Sequence, residues 1–198
     1  MAKAERLRDL IAQLISGNDV PASQARIGEL GQRGLNALLD LMEDQSVQPP
    51  PGRHPRDLYE DVTGTLWKIA EVDPKPLIRA LQQRPTHTFA LVWNLGASKQ
   101  EAVLQTLIEY TAHRDPMVRW AAVSGLCGRR RKIVLSTLLK AIKDRSSNVR
   151  YAALQGLARC ADQTAIVPLQ HFLATRRLQP GERRIAQELI DKLQTRQQ

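Results

Sequence analysis

The stretch DPMVRWAAVSGL at residues 115–126 is echoed by SNVRYAALQGL at 147–157, thirty-one positions further on. At that offset Val118 meets Val149, Arg119 meets Arg150, Trp120 meets Tyr151, Ala121 and Ala122 meet Ala152 and Ala153, Gly125 meets Gly156 and Leu126 meets Leu157. One step back the same register falls on Phe89, Ala90, Leu91, Val92 and Leu95, with His87 and Thr88 where Val and Arg stand in the later copies. A second apolar set recurs in phase, Leu104 and Leu107, then Leu135 and Leu138, then Ile166 and Leu169. A period of this size requires one supersecondary unit per repeat, stacked so that neighbours bury a continuous core.

Within each unit the apolar residues are three and four apart, which predicts two amphipathic helices joined by a short turn. Asp115 followed by Pro116 reads as an N-cap with proline in the first helical position, and Ser98-Lys-Gln-Glu101 reads as a capping box. Gly125 and Gly156 interrupt helical patterns at a cost in propensity, which suits a close approach by a neighbouring helix. DLYEDVTGTLWKIAEVDPKPLIRAL and SQARIGELGQRGLNALLDLM supply two earlier pairs. The units expected are 20–43, 57–83, 86–113, 115–143 and 146–175. A helix over 4–16 and another over 180–196 would cover the two open ends. Strand signals are absent, and the prediction is an all-α, right-handed superhelix forming one domain over 1–198.

Between the first two units lies DQSVQPPPGRHPRD, the loop 44–56, whose consecutive prolines remove backbone donors and favour an extended form. It is either a spacer or a contact loop, in which case Arg53, His54 and Arg56 are the residues that matter. The two cysteines, Cys127 and Cys160, lie in no CxxC or His-paired pattern and read as reduced structural thiols. No apolar run approaches the length of a membrane span and the N-terminus lacks a secretory apolar block, so a cytoplasmic protein is expected.

The D…VR..A…L pattern of the first helices, with second helices entered through proline in DPKPLIRAL and IVPLQHFL, resembles the HEAT-like repeat of the bilin-lyase type. The resemblance is marked over 86–175 and weaker over 20–85. It implies that Asp115, Arg119, Asp144 and Arg150 tie successive repeats together. Proteins similar in this way include bilin lyases, a lysine hydroxylase, alkylpurine DNA glycosylases and scaffolds without chemistry. The hydroxylase would need His-Glu dipeptides, yet His54, His87, His113 and His171 are followed by Pro, Thr, Arg and Phe. A glycosylase needs an aromatic cradle with a carboxylate to hold an extruded base. Trp120 shares its repeat position with Phe89 and Tyr151, which reads as packing. No nucleophile elbow or phosphate loop is present. The reading is of a protein that is no enzyme and needs no metal or cofactor.

Charge then narrows the function. Residues 1–110 carry 12 Lys and Arg against 14 Asp and Glu, a net of −2, while residues 111–198 carry 17 against 6, a net of +11. The densest cluster is Arg129, Arg130, Arg131 and Lys132, followed by Lys140, Lys143, Arg176 and Arg177. A field of that sign attracts acidic protein segments or nucleic acid. Few aromatics and no recognition helix speak against base reading, although phosphate contacts stay open. The expectation is a scaffold whose groove, lined by second helices, binds an acidic protein partner through these residues together with His171 and Arg53. Glu109, Lys140 and His171 align along that groove, beside Thr106, Thr137 and Pro168. Sequence-nonspecific nucleic-acid binding and a bilin-lyase-like enzyme or chaperone are the alternatives. The oligomeric state is left open.

Overall fold

The computed structural model describes residues 2–175 and 178–195, and every regular element among them is helical. The twelve α-helices of the described residues are α1 (Ala2–Ser16), α2 (Val20–Glu29), α3 (Gln32–Glu43), α4 (Pro55–Val72), α5 (Lys75–Gln83), α6 (Thr88–Leu95), α7 (Glu101–Tyr110), α8 (Pro116–Leu126), α9 (Lys132–Ala141), α10 (Ser147–Cys160), α11 (Ile166–Thr175) and α12 (Pro180–Thr195). Helices occupy each of the five expected units and the two flanking segments, and α2 with α3, α4 with α5 and α8 with α9 pack as hairpins, the architecture of an α-α solenoid. The packing gathers into two compact units, residues 1–103 and 104–198.

In the N-terminal unit α2 packs on α1 and α4, and α6 packs on α4 and α5. Its core is aliphatic, with Leu14, Ile27, Leu35, Leu38, Leu66, Leu77, Leu91 and Leu95 fully buried. The Pro-rich loop ends two residues earlier than the sequence predicts. His54 caps α4 by accepting from the Arg56 N–H at 3.1 Å, while Asp57 accepts from the His54 N–H at 3.2 Å. His87 occupies the repeat position that holds Val in later copies. It stays buried because its Nε2 lies 2.8 Å from Glu43, whose carboxylate also meets Arg84 and Thr86.

In the C-terminal unit α10 packs on α8, α9 and α12, and α12 also covers α11. The register read from the sequence is physical. Val118 and Val149, Ala122 and Ala153, Val123 and Leu154, and Leu126 and Leu157 are all buried. Gly156 is also buried, and a methyl group there would stand 2.9 Å from both Cys127 Sγ and Leu138 Cδ1. The two repeat arginines do the same work one period apart. Arg119 donates to the carbonyls of His113 and Arg114, and Arg150 donates to those of Asp144 and Arg145. Arg119 then forks onto Asp144 at 2.8 and 2.9 Å, whereas Arg150 finds its carboxylate on the covering helix, 2.9 Å away at Glu182.

At the aromatic repeat position Phe89 and Trp120 are half-buried, while the last copy departs from the packing expected. Tyr151 is 40% exposed, and Trp67 and Trp93 are 44% and 38% exposed.

Truncating Leu157 to alanine is expected to cost about 2 to 5 kcal/mol through lost transfer energy and a residual cavity. A denaturant titration that shows a shift below about 0.5 kcal/mol would mean that this position is not part of the core.

Candidate functional site

The α8 helix ends at Leu126, and Gly128 reverses the chain with φ of 84°, a conformation that costs a side-chain-bearing residue steric strain. The chain then runs through Arg129, Arg130 and Arg131 into α9. Arg129 folds back, and its Nε donates to the Gly125 carbonyl at 3.0 Å. Its side chain thereby satisfies an orphan acceptor at the C-terminus of α8 and places a cation at the negative end of that helix. Arg129 is buried. Its expected role as an exposed partner contact is therefore corrected to that of a cap.

Arg130, Arg131 and Lys132 are exposed. They line an open cleft of about 360 Å³ together with Leu135 of α9, Ala158 through Asp162 at the end of α10, and Leu189, Lys192 and Leu193 of α12. Five cations, Arg130, Arg131, Lys132, Arg159 and Lys192, face one carboxylate. That carboxylate, Asp162, accepts from the backbone and hydroxyl of Thr164 and so closes its own turn. The start of α9 adds to the field. Arg131 stands at its N-cap position and contributes no side-chain cap, and its first turn holds no acidic residue. A helix N-terminus favours negative charge, and here it meets lysine and arginine instead.

Cys160 lines the cleft, and Cys127 lies against Gly156 of α10. Burial pushes the Cys160 thiol up, only partly offset by the charge of Arg130, and burial likewise pushes the Cys127 thiol up against the opposing charge of Arg159. Both cysteines are free. Among the described residues, no three His, Cys, Asp or Glu side chains gather as metal ligands would, and no helix is long and apolar enough to cross a membrane. His113 stacks on Tyr110 with ring centroids 5.9 Å apart and accepts from the Asp115 N–H.

The structure divides the remaining candidates. Lys140 is exposed in the last turn of α9, about 12 Å along the helix from Lys132 at 1.5 Å per residue, and Lys143 is exposed just beyond the end of that helix. His171 is exposed on α11 and does not line the cleft. Arg176 and Arg177 lie outside the described residues. Arg53, in the N-terminal unit, is engaged within the fold. Its guanidinium donates to the Leu14 and Ile15 carbonyls, closing the C-terminal turn of α1, and pairs with Asp61. Its expected partner role is corrected accordingly, since a cation with three internal acceptors is withdrawn from the surface. Arg159 and Lys192 were absent from the expected set. Position 159 lies one period after Gly128, so the repeat itself places Arg159 at the matching turn, whereas Lys192 sits on a helix outside the repeat and carries no signal.

Residues 104–190 match the family model of HEAT repeats. The C-terminal unit is thus similar to HEAT repeats over most of its length. No curated protein matches the chain.

Proposed function

We propose that the protein is a non-catalytic interaction module whose C-terminal unit holds an acidic segment of a partner protein in the cleft between the start of α9, the end of α10 and α12. The observation that carries this reading is the five-to-one excess of cations over a carboxylate already bound within its own turn. HEAT repeats generally mediate protein contacts, which supports the class of partner. No aromatic residue lines the cleft, so it offers carboxylates a charge match and offers nucleobases no stacking platform. The functional surface is then where these helices meet, and Lys140, Lys143 and His171 do not line it.

The test is binding of a labelled glutamate-rich peptide to the full chain and to the Arg130→Ser, Arg159→Ser double variant. The variant is expected to bind about tenfold more weakly or worse, mainly through slower association, with stability changed by no more than about 0.5 kcal/mol. Arg129→Ser is expected to do the reverse, lowering stability by roughly 1 kcal/mol through the lost cap bond while binding persists. If a short DNA duplex binds instead, with a salt slope that falls by roughly 0.9 per arginine removed, the cleft reads phosphate and the acidic-protein reading is wrong.

A further inference from the structure

The flanking helix α12 presents Arg183, Arg184, Gln187, Glu188, Asp191 and Lys192 to solvent, as a helix that closes a stack should. The flanking helix α1 does not. Leu7, Ile11 and Ile15, spaced four apart on one stripe, are only half-buried, and α3 runs beside them with Ala37 and Leu41 in the same condition. These two ridges and Val47 form an apolar slot of about 510 Å³ within the N-terminal unit. Two parallel rows at helical spacing form a groove into which a third helix packs its own ridge.

The charges on the rim determine what such a helix must carry. Asp40 pairs with Arg84 at 2.7 Å, and Asp44 accepts from the backbone and hydroxyl of Ser46. Asp40 is therefore ion-paired, while Asp44 keeps its charge and is held only by the neutral groups of Ser46. Arg8 and Arg33, both exposed on the rim, form no ion pair among the described residues. The net unmatched charge around an apolar floor is positive. A second copy of the chain is a poorer occupant than an acidic helix, because a twofold contact on α1 brings the Arg8 side chains of both copies toward one another.

We propose that this slot docks an amphipathic helix of a partner protein, its apolar stripe on Leu7, Ile11, Ile15 and Leu41 and its flanks acidic toward Arg8 and Arg33. This is the helix-in-groove mode, with apolar anchors for affinity and charge for orientation. It is independent of the cationic cleft, which is polar and lies in the other unit.

Two blocked peptides of about fourteen residues test it, long enough for roughly four helical turns. Both carry leucine at positions three and four apart, one flanked by glutamate and the other by lysine, and each is titrated calorimetrically into the full chain. The glutamate peptide is expected to bind at least about tenfold more tightly than the lysine peptide, a charge preference that electrostatic complementarity at a rim can supply. Ile11→Asp should abolish binding, Arg33→Glu should invert the preference, and the Arg130→Ser, Arg159→Ser variant should leave it intact. Circular dichroism checks folding, and Arg33→Glu, being an exposed substitution, keeps the test valid if Ile11→Asp fails to fold. Failure of both peptides to bind, indifference to flank charge, loss of binding in the cleft variant, or a dimer in sedimentation that Ile11→Asp dissolves would each overturn the proposal.

Discussion

Gly34→Ala is expected to destabilise the N-terminal unit by about 3 kcal/mol, the upper part of the usual range for overpacking. Gly34 lies in the first turn of α3, and an added methyl there would collide with the carbonyl oxygen of Ile27 in α2. That oxygen accepts from the Leu30 N–H at 3.1 Å, so it belongs to the end of the α2 hydrogen-bond ladder. Backbone held in this way cannot turn aside as a side-chain tip can, and the whole α2–α3 crossing must open. Gly28 provides the internal control. It is also helical, and an added methyl there meets only Ile69 Cγ1, at an ordinary 3.8 Å. Gly28→Ala is expected to stabilise by about 0.5 to 1 kcal/mol, because alanine loses less backbone entropy in a helix. Denaturant midpoints of the two variants should move in opposite directions. A common shift would mean that the close α2–α3 approach does not exist in solution.

The second large effect is expected at Arg119. Replacing it with methionine removes both hydrogen bonds to Asp144, leaves the His113 carbonyl without its side-chain donor and leaves the Arg114 carbonyl only the longer bond from Arg145, at 3.3 Å. Breaking a buried pair from one side costs about 3 to 5 kcal/mol, and the lower end applies here because Asp144 retains 14% exposure. The pair also sets an acid limit. Burial pushes the Asp144 carboxyl up, but the hydrogen bonds from Arg119 and the Ser146 N–H, together with the charges of Arg119 and Arg145, outweigh it and hold the carboxyl below its usual range. A group depressed in the folded state stabilises fully above its unfolded value, near 3.9, and that contribution is lost as pH falls through the lower folded value. Wild-type stability should therefore drop more steeply below about pH 4 than that of Asp144→Asn. Parallel curves would remove Asp144 from the account of acid unfolding.

The repeat made the C-terminal unit legible before any coordinates, because a period fixes burial. Leu126 and Leu157, or Val118 and Val149, must share an environment if their neighbours recur. The fate of individual charges was not legible in the same way. Arg53 and Arg129 are indistinguishable by residue type from Arg130, yet each meets backbone carbonyls that only the path of the chain brings near. A carbonyl acceptor leaves no mark in the sequence. The cationic cleft was half visible, since its turn is a run of like charges, while Lys192 arrives from a helix outside the period. The exposure of Tyr151 was missed for a different reason, since periodicity gives the phase of a position but not the depth of the layer it faces.

The arginine staples give the C-terminal unit a property that concerns its history rather than its stability. Residues 115–145 contain both Arg119 and its carboxylate Asp144, and the carbonyls that Arg150 holds, at 144 and 145, stand one period after those held by Arg119. Such a cassette is closed with respect to its own buried charge. A tandem duplication of these 31 residues would lengthen the array with every guanidinium still matched, since the inserted arginine inherits two carbonyls from the copy before it and a carboxylate from its own copy. Duplication of the last pair without α12 would instead strand an arginine, because Glu182 lies beyond it. Growth by copying is therefore chemically permitted inside the array and forbidden at its end, so related chains of different length should differ by whole cassettes placed before α10.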